Sequence, residues 1–337
     1  MPAAAHRIRL AASLALLFGI ALFAALVLHY GFADVAAATA AIGWNIAWIV
    51  LIGVAILAVD TAGWAALMPP ANRPGLWRLT WIRWICMSVN RLLPVAQVGG
   101  DVVRARLLTR YGVAGGVAGA GVIVDVTVGV LTLAAFAATG LLLLVVDGGA
   151  TDIAGQVAVG LLIFGLLIAG FVAVQRSGLL RRMADALQGR FGATGWSAVA
   201  GHADLMHRTI AAIYSDRRAV AVSFFWRYLG WCLGAVEVWL ILKLLGHPVS
   251  LFDAFVIEAI AQAVIAAGFA IPGALGVQEG GLVAIGLVFD IAPEVALAVS
   301  LIKRGRDLLL GLPGLALWQT VEGRWLWLRR NQTTYCR

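Results

Sequence analysis

Two apolar stretches of this chain are interrupted by one short pattern, and the two copies lie 178 residues apart. The first reads Leu93-Pro94-Val95-Ala96-Gln97-Val98-Gly99-Gly100-Asp101, the second Ile271-Pro272-Gly273-Ala274-Leu275-Gly276-Val277-Gln278-Glu279. Each has a proline, an alanine two residues on, a glycine within the next few positions and an acid seven residues after the proline. Other charges keep nearly the same offset: Asp60 falls 177 residues before Glu237, and Asp125 falls 178 before Lys303. Charges recurring at one spacing inside apolar sequence imply two related halves around a shared site, the construction of many transporters.

The apolar share is 62% of 337 residues, the charged share is 12%, and the mean hydropathy is +0.94. A water-soluble domain would carry more charge and would lack repeated apolar runs of about 18 residues or more. An integral membrane protein is therefore expected. The net charge of +8 does not imply nucleic acid, because the basic residues are mostly arginines flanking apolar runs, where they set membrane orientation. Cys86, Cys232 and Cys336 form no CxxC and no disulfide framework, and read as packing thiols. His202 and His207 are five apart, the wrong spacing for a metal pair on one helical face. Neither metal nor cofactor is expected. No GxGxxG, Walker, HExxH or nucleophile-elbow motif occurs. The chain is thus not expected to be an enzyme, and any translocation would be passive, gradient-coupled or dependent on a partner.

Apolar runs place spans near 10–28, 43–67, 117–146, 154–175, 219–245 and 294–318, and two interrupted regions at 77–111 and 251–290. The first run is longer than the roughly 7–15 residue core of a signal peptide and reads as a retained helix. The arm Val277–Asp290 would reach only about 21 Å as a helix, short of a hydrocarbon core of about 30 Å. The arm Asp101–Arg110 carries Arg104, Arg106 and Arg110 and suits lipid still less. The expected fold is an all-α polytopic integral membrane protein of about six transmembrane helices plus two re-entrant helical hairpins in an inverted repeat. Its parts are an N-terminal helix and outer loop (1–42), a first repeat (43–175) with hairpin 77–111, a cytoplasmic amphipathic linker (176–218), a second repeat (219–320) with hairpin 251–290, and a cytoplasmic tail (321–337). Arginines concentrate at the N-terminus, in 68–91 (Arg73, Arg78, Arg83, Arg91), in 176–218 and in the tail, while 29–42, 147–153 and 246–253 hold no Lys or Arg. The positive-inside rule puts both termini in the cytoplasm of a bacterial inner membrane. The linker piece Leu179–Phe191, with Arg181, Arg182 and Arg190, reads either as an interfacial helix on the anionic leaflet or as a solvated linker.

Charges at hydrocarbon depth mark sites by default. Lys303-Arg304-Gly305-Arg306-Asp307 sits in the middle of the last run. Three cations so close must line an aqueous cavity, pair with acids, or both. Asp125, at the repeat-related position, is the expected partner of Lys303 or Arg304. Gly99, Gly100, Gly280 and Gly281 beside the tips Pro94 and Pro272 would let backbone approach a ligand. The arms after the tips would aim N-terminal amides at an anion such as a lipid phosphate. Asp101 and Glu279 would either cap those arms or gate, with Asp101 pairing Arg104 or Arg106. Asp60 and Glu237 are expected to partner Arg83, Arg91 or Arg227. Gly112, Gly115, Gly116, Gly119 and Gly121 read as helix-packing positions. Arg104, Arg106, Lys303, Arg304 and Arg306 are the candidate headgroup ligands, and Asp60, Asp101, Asp125, Glu237, Glu279 and Asp307 the counter-ions or gates.

The segments Pro94–Arg104 and Pro272–Gly280, with their Gly-Gly-Asp-x-x-Arg and Pro-Gly-x-x-Gly-x-x-Glu motifs, resemble the flippase-like transmembrane region of lysylphosphatidylglycerol synthases. They are most similar to its stand-alone, hopanoid-biosynthesis-associated form, the HpnL type, over roughly residues 10–320. The resemblance implies translocation of a phospholipid or hopanoid. The synthases' soluble aminoacyltransferase domain is expected to be missing, so lipid synthesis is not implied. Membrane lipids are the expected partners, with lipid-biosynthetic enzymes as a further class. A non-transporting partner of such enzymes and an ion-coupled small-solute carrier are the alternative functions.

Overall fold

The computed structural model describes residues 37, 40–70, 73–93, 99–146, 196–268, 271 and 274–335, without the side chains of 196–203 and 321–335. The expected spans 10–28 and 154–175, the piece Leu179–Phe191 and the tip prolines Pro94 and Pro272 lie outside the described residues.

Every regular element among the described residues is helical. A 3-10 turn, Gly43–Asn45, leads into α1 (Ile46–Leu67); α2 (Leu76–Leu92), α3 (Gly99–Arg110) and α4 (Gly115–Val146) follow. From residue 196 onward come α5 (Trp196–Ser215), α6 (Arg217–Leu244), α7 (Leu251–Ala267), α8 (Val277–Gly286) and α9 (Pro293–Tyr335). Gly43–Leu67, Gly115–Val146 and Arg217–Leu244 are long and apolar enough to cross a membrane. At 1.5 Å per residue α3 and α8 reach only about 18 and 15 Å, too short to cross.

Local chemistry explains the helix starts. The Asp216 carboxylate accepts from Ala219 N at 3.0 Å and caps α6. Ser250 and Asp253 form a reciprocal capping box on α7. Pro293 opens α9, where its missing N–H costs nothing. At α8, Gly276 takes φ +77°, a conformation that favours glycine, and its N–H donates to Glu279 Oε2 at 2.7 Å. Pro313 lies inside α9, and Trp84 Nε1 donates to the nearby Leu310 carbonyl at 2.7 Å, binding α2 to the proline-interrupted turn.

Packing repeats between the halves. Matching α1–α4 to α6–α9 in order, α2 lies on α9 and α7 lies on α4. The pairs α2–α3 and α3–α4 have counterparts in α7–α8 and α8–α9, and α1 packs against its own counterpart, α6. One apolar core gathers α6–α9 around Val238, Ile257 and Leu297; a second gathers α1–α4 around Trp64, Leu79 and Leu108.

Lipid tails compete with apolar side chains, so helices associate where small residues admit close approach. A β-carbon on Gly140 would stand 2.4 Å from Ala259 Cβ on α7; on Gly314 it would stand 2.1 Å from Ser88 Oγ on α2. These glycines sit at the two matching crossings. The expected packing row holds at Gly119, where a β-carbon would stand 3.4 Å from Met206 Sδ on α5, and is corrected at two positions. Gly112 is a turn residue at φ +85°, and a β-carbon on Gly121 would meet nothing within 4 Å. The reason is local space: room is left where a β-carbon on the buried Gly121 would stand, whereas Gly140 is pressed against α7. Gly140→Ala should therefore destabilise the protein by about 1–3 kcal/mol through overpacking. Gly121→Ala should be neutral or stabilising by up to about 1 kcal/mol through helix propensity. Thermal unfolding midpoints in detergent check both.

Candidate functional site

Asp125, fully buried on α4, collects cations from three helices. Arg83 on α2 donates to it at 2.7 Å, Arg227 on α6 at 2.6 Å, and Arg104 on α3 also donates to it. Arg83 extends to Asp60 on α1 at 3.2 Å, and Arg104 extends to Asp101 at 2.7 Å. Three acids thus face three arginines, and the group is electrically balanced. The Arg104 guanidinium also lies 4.8 Å from the centre of the Trp64 ring, which shields its other face.

The second half builds the same arrangement with its polarity reversed. Consecutive positions on a helix point about 100° apart, so the clustered cations of α9 leave it in three directions. Lys303 reaches Glu258 on α7 at 2.6 Å; Arg304 reaches Glu279 on α8 at 2.6 Å; Arg306 reaches Glu237 on α6. Arg306 also holds its neighbour Asp307 at 2.7 Å, and Arg91 from α2 meets the same carboxylate. Four acids face four cations. In the first half a central acid draws in cations. In the second, central cations draw in acids.

The expected pair of Asp125 with Lys303 or Arg304 is not formed. Asp125 is neutralised instead by Arg83 and Arg104 of its own half and by Arg227 of the other, while Lys303 and Arg304 take Glu258 and Glu279. Asp60 does pair with Arg83 and lies 3.9 Å from Arg227, whereas Glu237 takes Arg306. Asp101 pairs with Arg104. Arg106 lies on the exposed face of α3, away from the buried Arg104, Leu107 and Leu108. Arg83 and Arg91 were counted in a water-facing connection; both belong to α2 and enter the ion-pair groups, so only Arg73 and Arg78 of that set remain as flanking charge.

The helix N-termini already have internal partners. Glu279 Oε2 takes the Gly276 amide, while its Oε1 accepts from Arg304 and from Ser300 Oγ at 2.9 Å. The Gly100 amide donates to Asn90 Oδ1 at 2.7 Å, and Asn90 Nδ2 reaches Asp101 at 3.4 Å. A β-carbon on Gly100 would stand 2.2 Å from the Cys86 carbonyl, so this glycine allows α3 to approach α2 rather than a ligand. Gly99 beside it is half-buried. A β-carbon on Gly280, next to Glu279, would meet nothing within 4 Å. Glu258 was not singled out from sequence, although it is a lone acid inside the run 251–267. No group of three or more His, Cys, Asp or Glu placed to hold a metal occurs among the described residues.

The family model for the lysylphosphatidylglycerol synthase TM region matches residues 10–314. No curated protein and no solved structure gives a significant match.

Breaking a buried pair strands a charge in low dielectric at a cost of about 3–5 kcal/mol, whereas replacing both partners can be nearly neutral. Lys303→Met should therefore lower the unfolding midpoint sharply. Adding Glu258→Gln should recover most of the loss, and a double-mutant cycle in detergent measures the coupling.

Proposed function

The chain belongs to the lysylphosphatidylglycerol synthase transmembrane-region family, and from that premise we propose that it is a flippase-like lipid translocase of the bacterial inner membrane. The single observation that carries this reading is the pair of balanced, buried ion-pair groups beside the two helix breaks. Apolar helices need no such charges to fold in lipid. Burying them is costly, and intramembrane ionisable groups generally serve a pathway.

In the proposed mechanism the short helices α3 and α8 belong to re-entrant hairpins of an inverted repeat, and both termini face the cytoplasm. A lipid headgroup enters between the hairpins and exchanges with internal partners. Its phosphate displaces a carboxylate from Arg104, Arg304 or Arg306, and any ammonium group on it takes the carboxylate released. Each exchange conserves the number of ion pairs, so the headgroup crosses without an unpaired charge. Acyl chains stay in the surrounding lipid. No covalent bond changes. The motifs around Asp101 and Glu279 support the hopanoid-associated type within the family. The balanced charge favours a headgroup bearing its own charges.

The completeness of the pairing also supports a second reading, in which the charges are structural and the protein scaffolds lipid-biosynthetic enzymes. Proteoliposomes containing a headgroup-labelled phospholipid separate the two. Under the translocase reading, label crosses faster than in protein-free vesicles. Arg304→Ala and Glu279→Gln then slow crossing by ~10-fold or more, a barrier increase of about 1.4 kcal/mol. Unchanged rates in folded variants would remove these residues from the pathway. No crossing with wild type would favour the scaffold.

A further inference from the structure

Four charges run in a row from the protein interior to its surface. Side-chain exposure rises from 1% at Glu237 to 6% at Arg306, 21% at Asp307 and 41% at Arg91. The signs alternate. Arg306 spans the middle: Nη1 donates to Glu237 Oε2, while Nε and Nη2 donate to Asp307 Oδ1 at 3.1 and 2.7 Å. Arg91 Nη1 donates to that same Asp307 oxygen. At the buried end, Glu237 Oε1 has no hydrogen-bond partner. A buried polar atom without a partner calls for an explanation. Here it is an open carboxylate oxygen at the closed end of a row whose other end is an exposed guanidinium.

We propose that this row couples uptake of one proton at Glu237 to binding of one oxyanion of the phosphate-ester class at Arg91. The proton adds to Glu237 Oε1 and gives a neutral carboxyl. Arg306 then turns wholly to Asp307, to which it already makes two hydrogen bonds. Asp307 no longer balances Arg91, and the exposed guanidinium takes an external oxyanion. One positive and one negative charge enter together, so the site keeps its net charge. The row spans α2, α9 and α6, linking the hairpin helix of one half to the long helices of the other.

The remaining charges around α6 are held in place. From α9, Lys303 is engaged by Glu258 of α7, and Glu258 Oε1 also accepts from Gln262 at 2.7 Å. Asp60 of α1 and Asp125 of α4 gather on Arg227, ten positions before Glu237 and about 15 Å along the helix. On α5, Asp204 and Arg208 pair with each other at 2.7 Å. Among the described residues Arg306 is therefore the cation hydrogen-bonded to Glu237, with Lys303 acting on it through space.

The inference rests on the translocase reading only for the source of the oxyanion. The test is calorimetric titration of the purified full chain in detergent, in two buffers of different ionisation heat, with short-chain phosphatidylglycerol in one arm and inorganic phosphate in the other. Wild type should take up about one proton per phosphatidylglycerol bound, and its affinity should fall as pH rises, by up to ~10-fold per pH unit. Glu237→Gln keeps an acceptor for Arg306 and should bind without proton uptake and without pH dependence. Arg91→Gln, at the exposed end where folding is least at risk, should lose ~10-fold or more in affinity, about 1.4 kcal/mol. Equal uptake with inorganic phosphate would keep the coupling and move its source from lipid to free anion. Binding without proton uptake, proton uptake that survives Glu237→Gln, wild-type affinity in Arg91→Gln, or no binding of either probe would each overturn the inference. Label crossing at a pH-independent rate would leave translocation standing and the coupling refuted; Glu237-dependent uptake without crossing would do the reverse.

Discussion

Charge neutrality inside an apolar bundle is the constraint on which the rest of the structure depends. An ionised side chain away from water must find an opposite charge or lose most of the energy that keeps it folded. Asp125 and the Lys303–Asp307 cluster sit where water is scarce, and each organises the helices around it. Asp125 ties α2, α3 and α6 to α4. Lys303, Arg304 and Arg306 tie α7, α8 and α6 to α9. Close glycine crossings at Gly140 and Gly314 bring the hairpin helices to the long helices, within reach of the ion pairs.

The two halves agree in helix packing and in two charge bridges, α2–α4 with α7–α9 and α3–α4 with α8–α9, but not in sign. The α2–α4 bridge is Arg83 with Asp125, and its counterpart α7–α9 is Glu258 with Lys303. A salt bridge works equally well with its ends exchanged, so a duplicated fold can diverge in polarity and keep its pairing. The result is an acid-centred site in one half and a cation-centred site in the other. Arg91, from the first half, joins the second group, and Arg227, from the second half, joins the first.

Much of the fold is legible in the chain because lipid makes the rules simple. The long apolar runs 43–67, 117–146 and 219–245 became α1, α4 and α6 with small shifts at their ends. The Pro/Gly breaks separate α2 from α3 and α7 from α8, since proline removes a donor and glycine weakens the helix. Asp60, Asp125, Glu237 and Glu279 stood out as acids in apolar surroundings. Arg83 and Arg91 are legible only as candidate partners of Asp60 or Glu237, because an arginine near the end of an apolar run also reads as an orientation signal whether it points to water or inward.

The sequence by itself determined that this chain lives in a membrane, that charges and helix breaks recur at one offset, and most of the acids that the apolar helices bury. Only the tertiary structure decided who pairs with whom. Pairing depends on the rotation of each helix about its axis and on how far each hairpin folds back, and neither is written in spacing along the chain. A 178-residue offset could align Asp125 with Lys303, but it could not say that Asp125 takes Arg83, Arg104 and Arg227 while Lys303 takes Glu258.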